Sequence, residues 1–127
     1  MNRTVAVIGA GPDRRKFGNK SVRAHAAAGY TVYPVHPTAD AVEGLTAYRS
    51  VADVPAGPLD RVTVYLPPAV GLTVLADIAT RSPAEVWFNP GADSPEVLAE
   101  ARRLGLNAIA ACSIVNLGVS PAQFPDE

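Results

Sequence analysis

The sequence predicts a three-layer α/β domain built on a doubly wound, mainly parallel sheet of about five to six strands. Three observations lead there. Short runs rich in β-branched residues alternate with helix-period segments along the whole chain. Each run is nearly unbroken in its apolar character, as in strands covered on both faces. Glycine or proline punctuation follows most of the runs, at the strand ends where such folds bind ligands.

Thr4–Ile8 (TVAVI) is the first strand, ended by Gly9. Residues 9–18 form a loop. Asn19–Ala28 then form a helix, with Gly18 or Asn19 near its N-cap, Gly29 just past its end and Val22 and Ala26 facing inward. His25 on this helix is expected at the surface. Thr31–Val35 (TVYPV) is the second strand, with Pro34 at its last turn because proline cannot donate to a ladder. Signals weaken over 36–61, where Leu45–Tyr48 reads as a short edge strand and Ser50–Val54 as one helical turn capped by Ser50. Arg61–Leu66 is a strand stopped by Pro67 and Pro68. Gly71–Thr80 is a helix with Leu72, Leu75, Ile78 and Ala79 on one face. Glu85–Phe88 is a strand stopped by Asn89, Pro90 and Gly91, and alternation directs Trp87 and Phe88 to opposite faces. Pro95–Leu104 carries the fullest set of helix signals: a Ser94 cap, Pro95 at the first position, Glu96 complementing the dipole and Gly105 beyond the end. Val97, Ala101 and Leu104 form its buried face. Asn107–Ala110 is the last strand, and the tail from about 113 reads as irregular. Right-handed crossovers then place the switch in strand order beside the first strand.

The 127 residues are the length of a single domain spanning 1–127. Hydrophobic residues make up 48% and charged residues 18%, which excludes the composition of a disordered chain. One cysteine excludes an internal disulfide and a Cys-rich zinc site, and two histidines far from it speak against a dedicated metal site. The uncharged stretch 104–125 is too broken by Gly, Asn and Pro for a membrane span, and the first apolar run is too short for a secretory signal. With the lone cysteine, these features lead to the expectation of a cytoplasmic protein. A net charge of −1 excludes a basic nucleic-acid binder. The charge is unevenly spread: residues 1–36 hold six Lys and Arg against Asp13 alone, and the rest hold five against eleven acids. Such clustering beside the first glycine-rich turn points to an anionic ligand there.

Gly9-Ala10-Gly11 follows a strand as a dinucleotide fingerprint does, but Arg14 stands at the third glycine position and the loop is too long for the tight nicotinamide-type turn. No Gly-Lys-Ser/Thr precedes the helix, so it is no Walker loop. Arg14, Arg15 and Lys16, with free N–H groups near Asn19 and Lys20, suit a phosphate. His36 stands where many NAD-binding domains carry an acid for the ribose hydroxyls, which argues against NAD. Pro67-Pro68 and Asn89-Pro90-Gly91 end two central strands and would keep the backbone open for a slender ligand arm. Cys112 reads as a small buried hydrophobe, and no nucleophile–base pair or acid–base carboxylate pair is evident.

VAVIGAGPDRRKFGNK, GYTVYPVHP, VEGLTAYRSVADVP, VTVYLPP and VWFNPGADSPEVLAEARRLGLNAI together resemble the small stand-alone CoA-binding domain proteins. These are similar in turn to the CoA-binding domain of succinyl-CoA synthetase α chains and acyl-CoA synthetases. The resemblance covers about residues 3–112. It implies a Rossmann-like fold that binds coenzyme A or an acyl-CoA at the carboxyl edge of the sheet. It assigns Gly9, Ala10, Gly11, Arg14, Lys16 and Phe17 to the loop that meets the nucleotide and its phosphates, and Asn19 and Lys20 to the helix start. Val35, His36 and Pro37 would border the adenosine, Leu66, Pro67 and Pro68 the middle of the cofactor, and Asn89, Pro90 and Gly91 the pantetheine arm. Two departures stand out. The family commonly has Ser where Gly11 stands, and many members follow the cysteine with a charged run ending in an acid, where this chain has Ser-Ile-Val-Asn. The expectation is a CoA-binding module with no catalytic residues of its own. The alternatives are an NAD(P)-binding oxidoreductase-like domain and a regulatory or partner subunit of a CoA ligase.

Overall fold

The computed structural model describes residues 3–55 and 57–127. The chain runs β1 (Thr4–Ile8), α1 (Phe17–Ala27), β2 (Thr31–Val35), β3 (Ala41–Val42), β4 (Leu45–Thr46), a 3-10 turn at Val51–Asp53, β5 (Arg61–Val64), α2 (Pro68–Thr80), β6 (Glu85–Phe88), α3 (Pro95–Arg103), β7 (Ala108–Ala110), α4 (Ser113–Asn116) and a second 3-10 turn at Pro121–Gln123. Five strands form one parallel sheet in the order β2-β1-β5-β6-β7, so strand order reverses beside β1, as expected. Among the described residues, no helix is long and apolar enough to cross a membrane.

Alternation on the strands builds two cores. Val5, Val7 and Val32 face Val22 of α1, with Val42 of β3 completing that layer. Ala6, Ile8, Val62, Val64, Val86 and Phe88 face Leu75 and Ile78 of α2 and Val97 and Ala101 of α3. Each fully buried Leu, Ile or Val side chain contributes about 1.5–3 kcal/mol, and these layers fix the sheet between its helices. Trp87 and Phe88 point to opposite faces, yet both are buried, because helices cover both sides.

Several local expectations give way to specific contacts. Pro34 sits within β2, opposite Val7, and not at its last turn. Its carbonyl accepts from Tyr48 N–H and His36 N–H donates to the Tyr48 carbonyl, so its missing N–H falls on the outer edge of the sheet. The strand expected at 45–48 forms in part: Leu45–Thr46 is β4, paired with β3 in a hairpin that turns through Glu43 and Gly44, both at positive φ, and Tyr48 bridges Val35 at the edge of the main sheet. α2 begins at Pro68, where the fixed φ of proline suits the first helical position. The tail expected to be irregular forms α4 and the Pro121–Gln123 turn, the latter closed by a capping box of Ser120 and Gln123.

α1 differs most. Ala26 is exposed, and its buried positions include Ser21, Val22, Ala24 and His25. His25 is fully buried, the opposite of its expected surface position. Its Nδ1–H donates to the Ser21 carbonyl at 2.8 Å, and its Nε2 lies 3.4 Å from an Arg61 guanidinium nitrogen that donates to it. Arg61, only 3% exposed, also meets Glu85 at 3.2 Å and Asn116 at 2.7 Å and lies over the Trp87 ring. This cluster joins α1, β5, β6 and α4 at the amino edge of the sheet, away from the carboxyl ends of the strands.

Candidate functional site

Two adjoining hollows open along the carboxyl edge of the sheet. The larger, of about 550 Å³, lies between the β1–α1 loop, the β5–α2 turn and the β6–α3 turn. The smaller, of about 300 Å³, lies between the end of β2, the 3-10 turn and α2. Gly9, His36 and Leu66 line both, so the two are lobes of one cleft. It sits at the switch point, the usual ligand position in doubly wound sheets.

Close approach of backbone shapes the larger lobe. Gly9 holds φ +90°, and a Cβ there would sit 2.5 Å from the Tyr65 carbonyl oxygen. A Cβ on Gly18 would press on the carbonyl of Gly9, so α1 begins directly against the end of β1. The helix starts at Phe17 and not at Asn19, with Lys16 at the N-cap and no side chain capping it. The first-turn N–H groups and the positive end of the helix dipole therefore lie at the cleft, beside Lys16, Phe17 and Gly18.

The structure sorts the expected site residues into two groups. Gly9, Gly11, Lys16, Phe17, His36, Leu66, Pro67, Pro68, Pro90 and Gly91 line the larger lobe, and Val35 and Pro37 line the smaller. Ala10, Arg14, Asn19, Lys20 and Asn89 do not line either lobe. Ala10 is buried, its N–H donated to the Val35 carbonyl. Arg14 meets Glu43 at 3.2 Å and donates to the Glu127 carbonyl at 2.6 Å. Asn19 is buried in α1, donating to the Gly11 carbonyl and to Glu43, each at 3.0 Å, which ties the loop to the β3–β4 hairpin. Lys20 meets Asp126 at 2.6 Å with its side chain 11% exposed. Asn89 donates to Thr63 at 2.7 Å and to the Val64 carbonyl at 2.9 Å, and accepts from the Ser113 N–H at 2.9 Å. It pins β5, β6 and α4 together behind the cleft wall.

Arg15 is closed onto Asp13 by two side-chain bonds at 3.0 and 2.9 Å. That contact and the Arg15 backbone N–H hold the Asp13 carboxyl down at about 2. Among the described residues, Lys16 is then the one cation of the first loop without an ion pair. His36 is oriented by two backbone donors: Nδ1 accepts from Ala39 N–H at 2.9 Å and from Thr38 N–H at 3.1 Å.

Other lining residues were not evident in the sequence. Tyr65 faces the larger lobe, and its hydroxyl lies 3.1 Å from Ser113 Oγ; burial pushes its ionisation up. Val51, Val70 and Val74 give the smaller lobe its apolar wall, with Arg49, Ser50 and Asp77 as its polar groups. Their apolar periodicity marks elements, not a ligand, so only the folded chain brings them together. Cys112 is half-buried at the N-cap of α4 and does not line the cleft, so it is less enclosed than a core hydrophobe.

No curated protein matches the chain. Solved structures do. A conserved hypothetical protein from Pyrococcus furiosus is 33% identical with a TM-score of 0.82, over 90% of this chain and 98% of that one. A hypothetical protein from Pyrococcus horikoshii OT3 is 25% identical with a TM-score of 0.83, over 91% of this chain and 81% of that one. The dinucleotide-forming acetyl-coenzyme A synthetase 1 of Ca. Korarchaeum cryptofilum, in its apo form, is 27% identical with a TM-score of 0.72; the match covers 85% of this chain and 26% of the synthetase. A family model described as a CoA binding domain matches residues 3–118, and by that span the chain belongs to the CoA-binding domain family.

Proposed function

We propose that the protein is a ligand-binding module for coenzyme A or an acyl-CoA. The observation that carries this reading is the two-lobed cleft at the switch point, with the uncapped start of α1 and Lys16 on its larger lobe. The diphosphate would lie against the Gly9–Gly18 loop and the first turn of α1, where backbone donors and a cation favour an anion. The adenine would enter the smaller, mainly apolar lobe. The pantetheine arm would run past Leu66, Pro67 and Pro68 toward Pro90 and Gly91. The long loop disfavours the tight dinucleotide turn of NAD(P), and the imidazole at the end of β2 disfavours NAD, whose ribose hydroxyls seek an acid there. The match to part of an acetyl-coenzyme A synthetase favours a second reading, a CoA-holding subunit of a ligase assembled from separate chains.

Calorimetric titration with CoA, NADH and NADPH tests the reading. CoA is expected to bind more tightly than either dinucleotide, and tighter binding of NADH would refute it. A second expectation separates the loop cations. Lys16→Ala should weaken CoA binding about tenfold, the worth of one charge-assisted hydrogen bond. Arg14→Ala should change it less than about threefold, because Arg14 is already committed to Glu43. Equal losses in titrations of the two variants would place the phosphates nearer Arg14.

A further inference from the structure

His36 stands where the two lobes meet, in one fixed arrangement. Its Nδ1 accepts from the backbone N–H groups of Ala39 and Thr38. A ring nitrogen that accepts cannot carry the proton, so the neutral imidazole carries it on Nε2. The Nε2 edge lies beside Gly11: a Cβ there would be 3.1 Å from Nε2 and 3.0 Å from Cδ2. The ring reaches the first loop because residue 11 has no side chain.

The end of the second strand is where nucleotide-binding sheets meet the ribose, and an acid there accepts from its hydroxyls. Here the same position offers a donor. Arg49 also lines the smaller lobe, but its guanidinium is committed to Asp40 at 2.8 Å and to the Ala39 carbonyl, so His36 supplies the donor at this position. Among the described residues that line the cleft, the carboxylates are Asp13, closed onto Arg15, and Asp77 on α2. Neither stands at the end of β2. A hydroxyl can accept from such a donor, but a phosphate oxygen accepts far more strongly, so a donor in place of an acid favours a phosphorylated ribose over a free diol.

We infer that the His36 Nε2–H, given room by Gly11, reads the phosphorylated ribose of the ligand, so that the cleft prefers CoA to its dephospho form. This rests on the CoA reading above and adds how the ligand's nucleotide end is chosen. Dephospho-CoA keeps the diphosphate and the arm and lacks only the ribose phosphate, so it isolates the contact.

The test is calorimetric titration of CoA and dephospho-CoA into the wild type, His36→Phe and Gly11→Ala. The wild type is expected to bind CoA about tenfold or more tightly than dephospho-CoA. His36→Phe keeps a flat ring and removes the donor; it should bring CoA down toward the dephospho-CoA level and cost CoA about tenfold more than it costs dephospho-CoA. Gly11→Ala pushes a methyl against the ring edge and should narrow the same preference. Equal loss for both ligands in His36→Phe makes the ring a wall and overturns the inference. Equal wild-type affinity for the two ligands overturns it too, while the CoA reading stands. Binding of neither ligand overturns the CoA reading itself. A readout independent of any variant is the imidazole ¹⁵N spectrum of the wild type. A protonated Nε2 whose resonance moves with CoA and not with dephospho-CoA supports the inference, and an unprotonated Nε2 overturns it.

Discussion

Gly9→Ala is expected to destabilise the fold by about 3 kcal/mol or more and to remove ligand binding with it. Gly9 holds φ +90°, a conformation that side chains of L residues rarely adopt. That strain alone costs about 1–2 kcal/mol. The added methyl also has no room: it would sit 2.5 Å from the Tyr65 carbonyl oxygen and 3.2 Å from Leu66 Cδ2. The carbonyl belongs to backbone, and Tyr65 N–H donates to the Ile8 carbonyl at 2.9 Å, so neither strand end can withdraw without opening the ladder between β1 and β5. Gly29→Ala is the matched control. Gly29 also has positive φ, +91°, but nothing lies within 4 Å of its Cβ position. It should lose only about 1 kcal/mol. Urea denaturation of the two variants measures the difference, and equal losses would show that β1 and β5 do not approach so closely.

Acid is expected to unfold the protein earlier than its carboxylates alone require, because of His25. Burial, with the Arg61 guanidinium adding repulsion, lowers its pKa from 6.5 to about 4. Between those values the unfolded chain binds a proton that the folded chain refuses, so stability falls as pH falls. The contribution is complete above 6.5 and is lost on the way down to about 4. At about 1.4 kcal/mol per unit, the loss is about 3 kcal/mol. Denaturation curves at pH 7.5 and pH 4.5 should show it. His25→Gln, which cannot take up the proton, should flatten the dependence across this interval. A variant with the same slope as wild type would assign the acid sensitivity elsewhere.

The strands of the large sheet were legible because each is an unbroken apolar run, and α3 because Ser94, Pro95 and Gly105 mark both ends. Ser94 does accept from the Val97 N–H, at 3.2 Å. The sequence pattern starts α1 two residues too late, because Lys16 supplies no capping side chain and the first turn is fixed instead by the approach of Gly18 to Gly9. The strands of β3–β4 and the single turn of α4 are too short to show a period; the Glu43-Gly44 turn between Val42 and Leu45 was the available signal. His25 was misplaced because its partner Arg61 lies 36 residues away in sequence. The glycine and proline turns of the cleft could be read from their positions after strands. The cations could not be sorted, since Arg14, Arg15, Lys16 and Lys20 look alike until Glu43, Asp13 and Asp126 are brought beside three of them.

That pairing changes how an anion meets the protein. The first 36 residues, read alone, describe a strongly attracting surface. In the fold, acids from the hairpin and from residue 126 sit among those cations, so the field fades at a distance and Lys16 acts mainly within a Debye length of about 8–10 Å. The proposed ligand would then arrive at an ordinary diffusive rate with little steering. Salt would act chiefly on how long it stays, and hardly on how often it arrives.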